Sequence, residues 1–378
     1  MTDGWIPYGR QLVDDDDIAA VTTSLRSGWL TTGPAVDTFE AELSSVAGAP
    51  AVAVSSGTAA LHAAYAAAGV GPETELVTTP MTFVATAAVA SALGARVRFV
   101  DVDDRTLNLD PEAVGAACSS ATRVVAPVDY AGHPADLEPL KAQAHAVGAL
   151  LVEDASHSLG AEYRGRPIGA VADMTTFSFH PVKLITTGEG GAVATGNAEL
   201  ERTVRRFRTH GLVRDPDSHR MQGEGAWHQE VHELGLNYRL ADPLAALGTS
   251  QLRKLSRFID RRTELARRYH SNLASVEGIR LPITLEDVRH AWHLYPIRVL
   301  EGRRRHVFDF LRSKGIGVQV HYLPVHLHPV FSDMGYEKGS CPVAEQAYDE
   351  LISLPLFPDL TDDLQDRVME ELRAGLRV

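Results

Sequence analysis

Cysteine is scarce in this chain of 378 residues: only Cys118 and Cys341 are present. Two thiols cannot build a disulfide framework, which excludes the small secreted scaffold held together by bridges. Cys118, in Ala116-Ala117-Cys118-Ser119, reads as a small buried helix residue. Long apolar runs are also missing, and each breaks well before the roughly 18 residues that a membrane helix needs. Positive charge is in deficit, with 36 Lys and Arg against 49 Asp and Glu and a formal net charge of −13. That balance argues against a nucleic-acid backbone as partner, although a local site on an acidic protein can still be positive. The start, Met1-Thr2-Asp3-Gly4-Trp5, has neither a basic stretch nor an apolar run. No signal peptide is expected, and a soluble, cytoplasmic protein is. Internal repeats and low-complexity linkers are absent.

What remains is an ordinary globular composition, 44% hydrophobic and 22% charged, in a chain long enough for two or three domains. Residues 5–9 read as an extended arm. Asp14 to Asp17 open a helix that ends at Gly28, as a solvated acidic cap favoured by the helix dipole rather than a metal site. From residue 51 to about 195, short β-type runs alternate with helical stretches. The runs cover 51–54, 76–79, 97–100, 123–128, 150–153, 175–179 and 192–195, and Gly69, Gly94 and Gly148 close helices before the next strand. This alternation predicts an α/β protein with a mainly parallel sheet and helices on both faces. A basic helix follows near residues 199–208, with a solvated face as its simplest reading. Residues 211–230, rich in Asp, Gly, His and Gln, predict a long mobile loop. A helical pattern from Asp242 to about Ser275 leads into a smaller α+β region.

Three segments carry chemistry. In Phe177-Ser178-Phe179-His180-Pro181-Val182-Lys183, an apolar run ends near a single lysine. A desolvated lysine loses its proton easily and becomes an amine nucleophile for carbonyls. In Leu150-Leu151-Val152-Glu153-Asp154-Ala155-Ser156-His157, an apolar strand delivers Asp154 at its C-terminal end, where open α/β sheets bind ligands. In Val54-Ser55-Ser56-Gly57-Thr58-Ala59, a β-type run turns into an Ala-rich helix whose N-terminus can hold a phosphate. Phosphate cradle, strand-end carboxylate and lysine together are what pyridoxal phosphate (PLP) needs. Two stretches offer less. His321-Tyr322-Leu323-Pro324-Val325-His326-Leu327-His328 lacks the i, i+4 helical spacing of a metal pair, because Pro324 breaks a helix; no metal is expected. Gly188-Glu189-Gly190-Gly191 is not followed by Gly-Lys-Ser/Thr, so it is no P-loop and reads as a tight turn between strands.

On these residues the chain resembles the DegT/StrS sugar aminotransferases over nearly its full length. Further matching motifs are Gly28-Trp29-Leu30-Thr31-Thr32-Gly33-Pro34, Thr82-Phe83-Val84-Ala85-Thr86-Ala87, Leu236-Asn237-Tyr238-Arg239, Trp292-His293-Leu294-Tyr295 and Ser353-Leu354-Pro355-Leu356-Phe357-Pro358. The resemblance implies the aspartate aminotransferase-like fold type I. Its expected parts are an N-terminal arm and large PLP-binding domain with a mixed, mainly parallel seven-stranded sheet (1–250) and a small α+β C-terminal domain (251–378). It implies Lys183 as the Schiff-base lysine and proton carrier, Asp154 as partner of the pyridinium nitrogen, and His157 near the cofactor's phenolic oxygen. Gly57, Thr58 and Ser178 would hold the phosphate and Phe83 would stack on the ring. Asn237 would reach the cofactor from the neighbouring subunit of a homodimer. Trp29, Thr31, Arg239, His321 and Tyr322 are implied on the substrate side, and Arg214, Arg220 and Arg239 are candidate diphosphate ligands.

The expected reaction moves an amino group from a donor, L-glutamate, to a keto sugar that is nucleotide-linked. Within the family, the chain is most similar to UDP-4-keto-6-deoxy-sugar 4-aminotransferases of the pseudaminic acid type, through the 178–183 segment and Gly317-Val318-Gln319-Val320-His321-Tyr322. It departs from that group at Val128-Asp129-Tyr130-Ala131-Gly132-His133. An aminocyclitol aminotransferase shares the same motifs. A lysine-free dehydratase is disfavoured by Lys183, and a non-enzymatic PLP-binding regulator would not need the full Lys/Asp/phosphate set.

Overall fold

In the computed structural model, which describes residues 4–221 and 223–377, all seven expected runs become strands of one sheet. They are β1 (Ala51–Val54), β2 (Glu75–Thr78), β3 (Arg96–Phe99), β4 (Thr122–Ala126), β5 (Leu150–Asp154), β6 (Met174–Ser178) and β7 (Gly191–Ala194). The spatial order is β1-β7-β6-β5-β4-β2-β3, and β7 alone runs against its neighbours. Alternate residues along each strand enter opposite cores. Ala51, Ala53, Val77, Val125 and Leu151 pack on one face, and Val52, Val54, Leu76, Val124 and Val152 on the other. The two-residue period of a strand and helices on both faces explain why these runs are apolar throughout.

The C-terminal region builds a second, smaller sheet from Ile279–Arg280, Tyr295–Val299 and Leu351–Leu354, all antiparallel. Its core contains Ile297, Val307, Ile352 and Leu372. Helix Leu255–Leu273 joins the two cores. Leu255 and Ile259 pack with the large sheet, whereas Leu265, Tyr269 and Leu273 pack with the small one. The N-terminal arm also reaches the small core. Ile6 is buried there, its N–H donates to the Gly315 carbonyl at 2.9 Å, and the Leu356 N–H donates to the Tyr8 carbonyl at 3.0 Å.

Two expectations need correction. Helix Asp15–Arg26 does start with a capping box between Asp14 and Asp17, but Asp17 is not solvated. It is fully buried, accepts from Ser250 Oγ at 2.6 Å and Gln251 Nε2 at 2.7 Å, and pairs with Lys254 at 2.9 Å. Residues 211–230 are not an unorganised loop either. Leu212–Val213 pairs antiparallel with Glu230–Val231, and a 3-10 turn, Pro216–Ser218, lies between them. The Glu230 carboxylate holds this segment by accepting from the Arg220 and Met221 N–H groups at 2.8 and 2.7 Å. Among the described residues, no helix is long and apolar enough to cross a membrane.

Candidate active site

The C-terminal ends of β5 and β6 and the N-terminus of helix Gly57–Ala67 open onto one cavity of about 470 Å³. Asp154 arrives as the last residue of β5 and is almost fully buried. One carboxylate oxygen accepts from Thr86 Oγ1 at 2.7 Å, and the other accepts from Ser156 Oγ at 2.6 Å and its N–H at 3.2 Å. These donors fix the carboxylate's direction. Thr86 is itself 3.0 Å from Thr82, four residues before it. Lys183 lines the same cavity, partly accessible through it. Burial pushes its ammonium pKa down to about 8, opposed by the Asp154 charge. The free amine is therefore far more accessible near neutral pH than that of an ordinary lysine.

The helix N-terminus beside them is shaped for close approach. Ser56 caps it by accepting from the Ala59 N–H at 3.0 Å. A Cβ on Gly57 would lie 2.8 Å from the Ser178 Cβ and 3.0 Å from its Oγ. Only a glycine lets these two segments meet, and the meeting sets the Ser178 hydroxyl beside the first helical N–H groups. Among the described residues, no hydrogen bond satisfies the Thr58 or Ser178 hydroxyl.

On the far wall, His157 stands fully enclosed, its ring 4.3 Å from that of His293. Its Nε2 is 3.2 Å from the Tyr322 hydroxyl, while its Nδ1 is buried with no partner. Burial, then the Lys183 and His321 charges, hold the His157 pKa well below the imidazole range, so this ring is neutral. His321 is pushed down to about 4 by burial and then by Lys183, and its Nδ1 is 2.8 Å from Ser353 Oγ. Burial raises the Tyr322 phenol, so it stays protonated. Phe83, 58% exposed, lines the opening.

Nine of the residues singled out from sequence thus meet in this cavity: Gly57, Thr58, Phe83, Asp154, His157, Ser178, Lys183, His321 and Tyr322. Others do not. Asn237 is exposed and paired to Thr209, Thr31 is exposed and bridged to Ala241, and Trp29 is 52% exposed. Arg214 and Arg220 are exposed on the 211–230 segment, and Arg239 keeps a buried Nε without a partner. None of these six lines the cavity of its own chain.

Sequence reading missed Tyr8, Thr86, Ser156 and a buried acid pair. Thr86 had a signal, since it follows Thr82 at helical spacing. Tyr8 had none, because the arm that carries it is placed by long-range pairing. Behind Asp154, Asp129 accepts from Ser158 Oγ at 2.5 Å and the Ala135 N–H at 2.8 Å, and Glu153 accepts from Thr175 at 2.8 Å. Burial pushes Asp129 up to about 7, and burial plus the nearby Asp129 raises Glu153 well above the carboxylate range. Glu153 is therefore held in its neutral form, whereas Asp154 opens onto the cavity, which Glu189 also lines.

A partly deprotonated lysine, a fixed carboxylate, an anion cradle and an exposed aromatic ring together fit a phosphorylated pyridine aldehyde. The orphaned His157 Nδ1 and the gap that only a glycine permits are the specific points of fit. Comparisons with known proteins agree. A model of the DegT/DnrJ/EryC1/StrS aminotransferase family matches residues 11–373. The spore coat polysaccharide biosynthesis protein SpsC of Bacillus subtilis is 39% identical over 376 residues, covering 98% of this chain and 96% of SpsC. The putative sugar aminotransferase Spr1654 of Streptococcus pneumoniae, in its PMP form, superposes with a TM-score of 0.92 at 29% identity, over 98% of this chain and 99% of that one. Its PLP form gives the same TM-score at 28% identity, over 99% of each chain. Helicobacter pylori PseC, an aminotransferase involved in the biosynthesis of pseudoaminic acid, gives 0.91 at 29% identity over 99% of both chains.

Proposed function

Since the chain belongs to the DegT/DnrJ/EryC1/StrS aminotransferase family, we propose that it transfers an amino group from L-glutamate to the ketone of a nucleotide-linked 4-keto-6-deoxy hexose. The enzyme is a PLP-dependent aminotransferase of fold type I. The observation that carries the reading is Lys183 and Asp154 lining one cavity that also contains the Ser56-Gly57-Thr58 helix start. When bound, PLP supplies a carbonyl that takes up and gives back the amine, and a ring that draws electrons from the substrate carbon.

The chain's own residues have these roles in the proposal. Gly57, Thr58 and Ser178 hold the phosphate with N–H and hydroxyl donors. Asp154 sets a negative charge against the ring nitrogen, kept in line by Thr86 and Ser156. His157, neutral and braced by Tyr322, faces the phenolic oxygen. Phe83 covers the ring face. The Lys183 amine, its pKa about 8, takes a proton from the substrate carbon and returns one. His321 and Tyr322 border the sugar. Asn237, Trp29, Thr31 and Arg239 lie outside their own cavity, and in this proposal they serve the partner's site in a homodimer. The division at 250/251 belongs to the same reading, supported by distinct cores under the large and the small sheet that share helix Leu255–Leu273. So does a cytoplasmic location, supported by two cysteines that form no disulfide.

Remote contacts to a nucleotide would position the keto carbon, so the free sugar should be a much poorer substrate. An amine-transfer assay with L-glutamate, comparing a UDP-4-keto-6-deoxy hexose, the free keto sugar and a keto cyclitol, tests this. Turnover of the cyclitol with none on the nucleotide sugar would replace the proposed substrate with an aminocyclitol precursor.

A further inference from the structure

We propose that the segment between the Leu212–Val213 and Glu230–Val231 strands holds one structural zinc ion through His219, His228 and Glu230. One ligand atom from each of these residues lies within 4.8 Å of the others. They come from both arms of the segment, His219 just after the 3-10 turn Pro216–Ser218 and the other two at the returning strand. Two imidazoles and one carboxylate are a donor set that zinc takes in tetrahedral geometry, with water in the fourth position.

The surroundings orient these groups as outer partners orient metal ligands. His219 Nε2 is 3.2 Å from the Val213 carbonyl. A carbonyl can only accept, so the proton sits on Nε2, and such a bond on one ring nitrogen is found at histidine ligands. His228 Nε2 is 3.1 Å from Glu230 Oε1, a hydrogen bond that a shared ion would replace with two coordination bonds. His232 Nε2 bonds the other oxygen, Oε2, at 2.5 Å. The Arg220 and Met221 N–H groups also donate to this carboxylate, so its direction is fixed from several sides. The His219 and His228 rings meet edge to face with centroids 4.9 Å apart, which keeps both against the same point. None of these residues lines the Lys183 cavity, so the ion would take no part in the amination and would brace the segment between its short strand pair and its 3-10 turn.

The test uses the full-length, tag-free holoenzyme, treated with a chelator, desalted and titrated with zinc chloride by calorimetry, with elemental analysis of the product. The expected result is one zinc per chain and a raised melting temperature. The double variant His219→Gln, His228→Gln should lose the site. His232→Ala, which removes only an outer partner, should bind about 10- to 100-fold more weakly. The visible absorbance of the bound cofactor, read in the same samples, reports whether each variant is folded, independently of zinc. Absence of stoichiometric zinc in the wild type, or equal binding by the folded double variant, would overturn the proposal. Its outcome does not depend on which sugar the enzyme aminates.

Discussion

Lys183 and Asp154 divide the work at the scale of single residues, and their environments differ accordingly. Lys183 is largely shielded from water, which lowers its pKa to about 8. Only the free amine attacks a carbonyl, so reconstitution of cofactor-free protein with PLP should speed up with rising pH and level off above about 8. An ordinary exposed lysine would keep gaining up to its usual value of 10.5. Stopped-flow absorbance across pH 6 to 10 reads this directly, and a rate still climbing steeply at the top of that range would show that burial does not act as described. Lys183→Ala should abolish the visible band of the bound cofactor while leaving noncovalent binding. Asp154→Asn keeps the shape and the Ser156 and Thr86 neighbours but removes the charge. Loss of such a stabiliser costs on the order of 10²-fold or more in rate. Single-turnover kinetics of that variant at wild-type speed would dismiss the electron-withdrawing role.

Among the elements, the helix Gly57–Ala67 and strand β6 meet at a tight point of the site. Gly57 has an ordinary helical backbone, so alanine there costs the helix nothing by propensity. The added Cβ would instead press on Ser178 at 2.8 Å. Gly57→Ala should therefore weaken PLP retention by roughly tenfold, about 1.4 kcal/mol, and the cofactor-free protein should also melt somewhat lower, because Ser178 must move. Equilibrium dialysis and calorimetry separate the two effects. This site was legible in sequence because local patterns build it: an apolar strand, a small-residue turn, an Ala-rich helix. The seven strands were legible for the same reason, each displaced by no more than a residue or two. What was not legible is held by partners far apart in the chain. Asp17 is buried because Ser250, Gln251 and Lys254 come to meet it, and no local pattern announces them. The 211–230 segment has no periodicity to read, because backbone N–H groups converging on Glu230 organise it. Tyr8 joins the cavity only because the arm pairs with residues beyond 310.

The whole molecule presents surface that a lone chain leaves in water. Leu234 is 91% exposed, Leu30 56%, Trp29 52% and Leu236 41%, and Asn237 lies next to this last residue. Exposed apolar side chains of this size are what an interaction face would use. The resemblance names Asn237 as a cofactor contact, yet its own cavity does not include it. Both facts are met if a second copy covers this face and each copy lends Asn237 to the other's site, as a two-fold arrangement requires. Lys183→Ala and Asn237→Ala would then damage different halves of a composite site. In a mixed dimer, one site would combine an intact Lys183 with an intact Asn237, and the other would carry both lesions. After subunit exchange at equal amounts, half the dimers are mixed and each has one working site, giving roughly a quarter of wild-type activity from two inactive parents. Sedimentation of the mixture and fluorescence exchange between labelled subunits establish that mixing has occurred. No recovered activity despite exchange, with Asn237→Ala itself inactive, would place both residues in one chain's site. A fully active monomer would remove the shared site altogether.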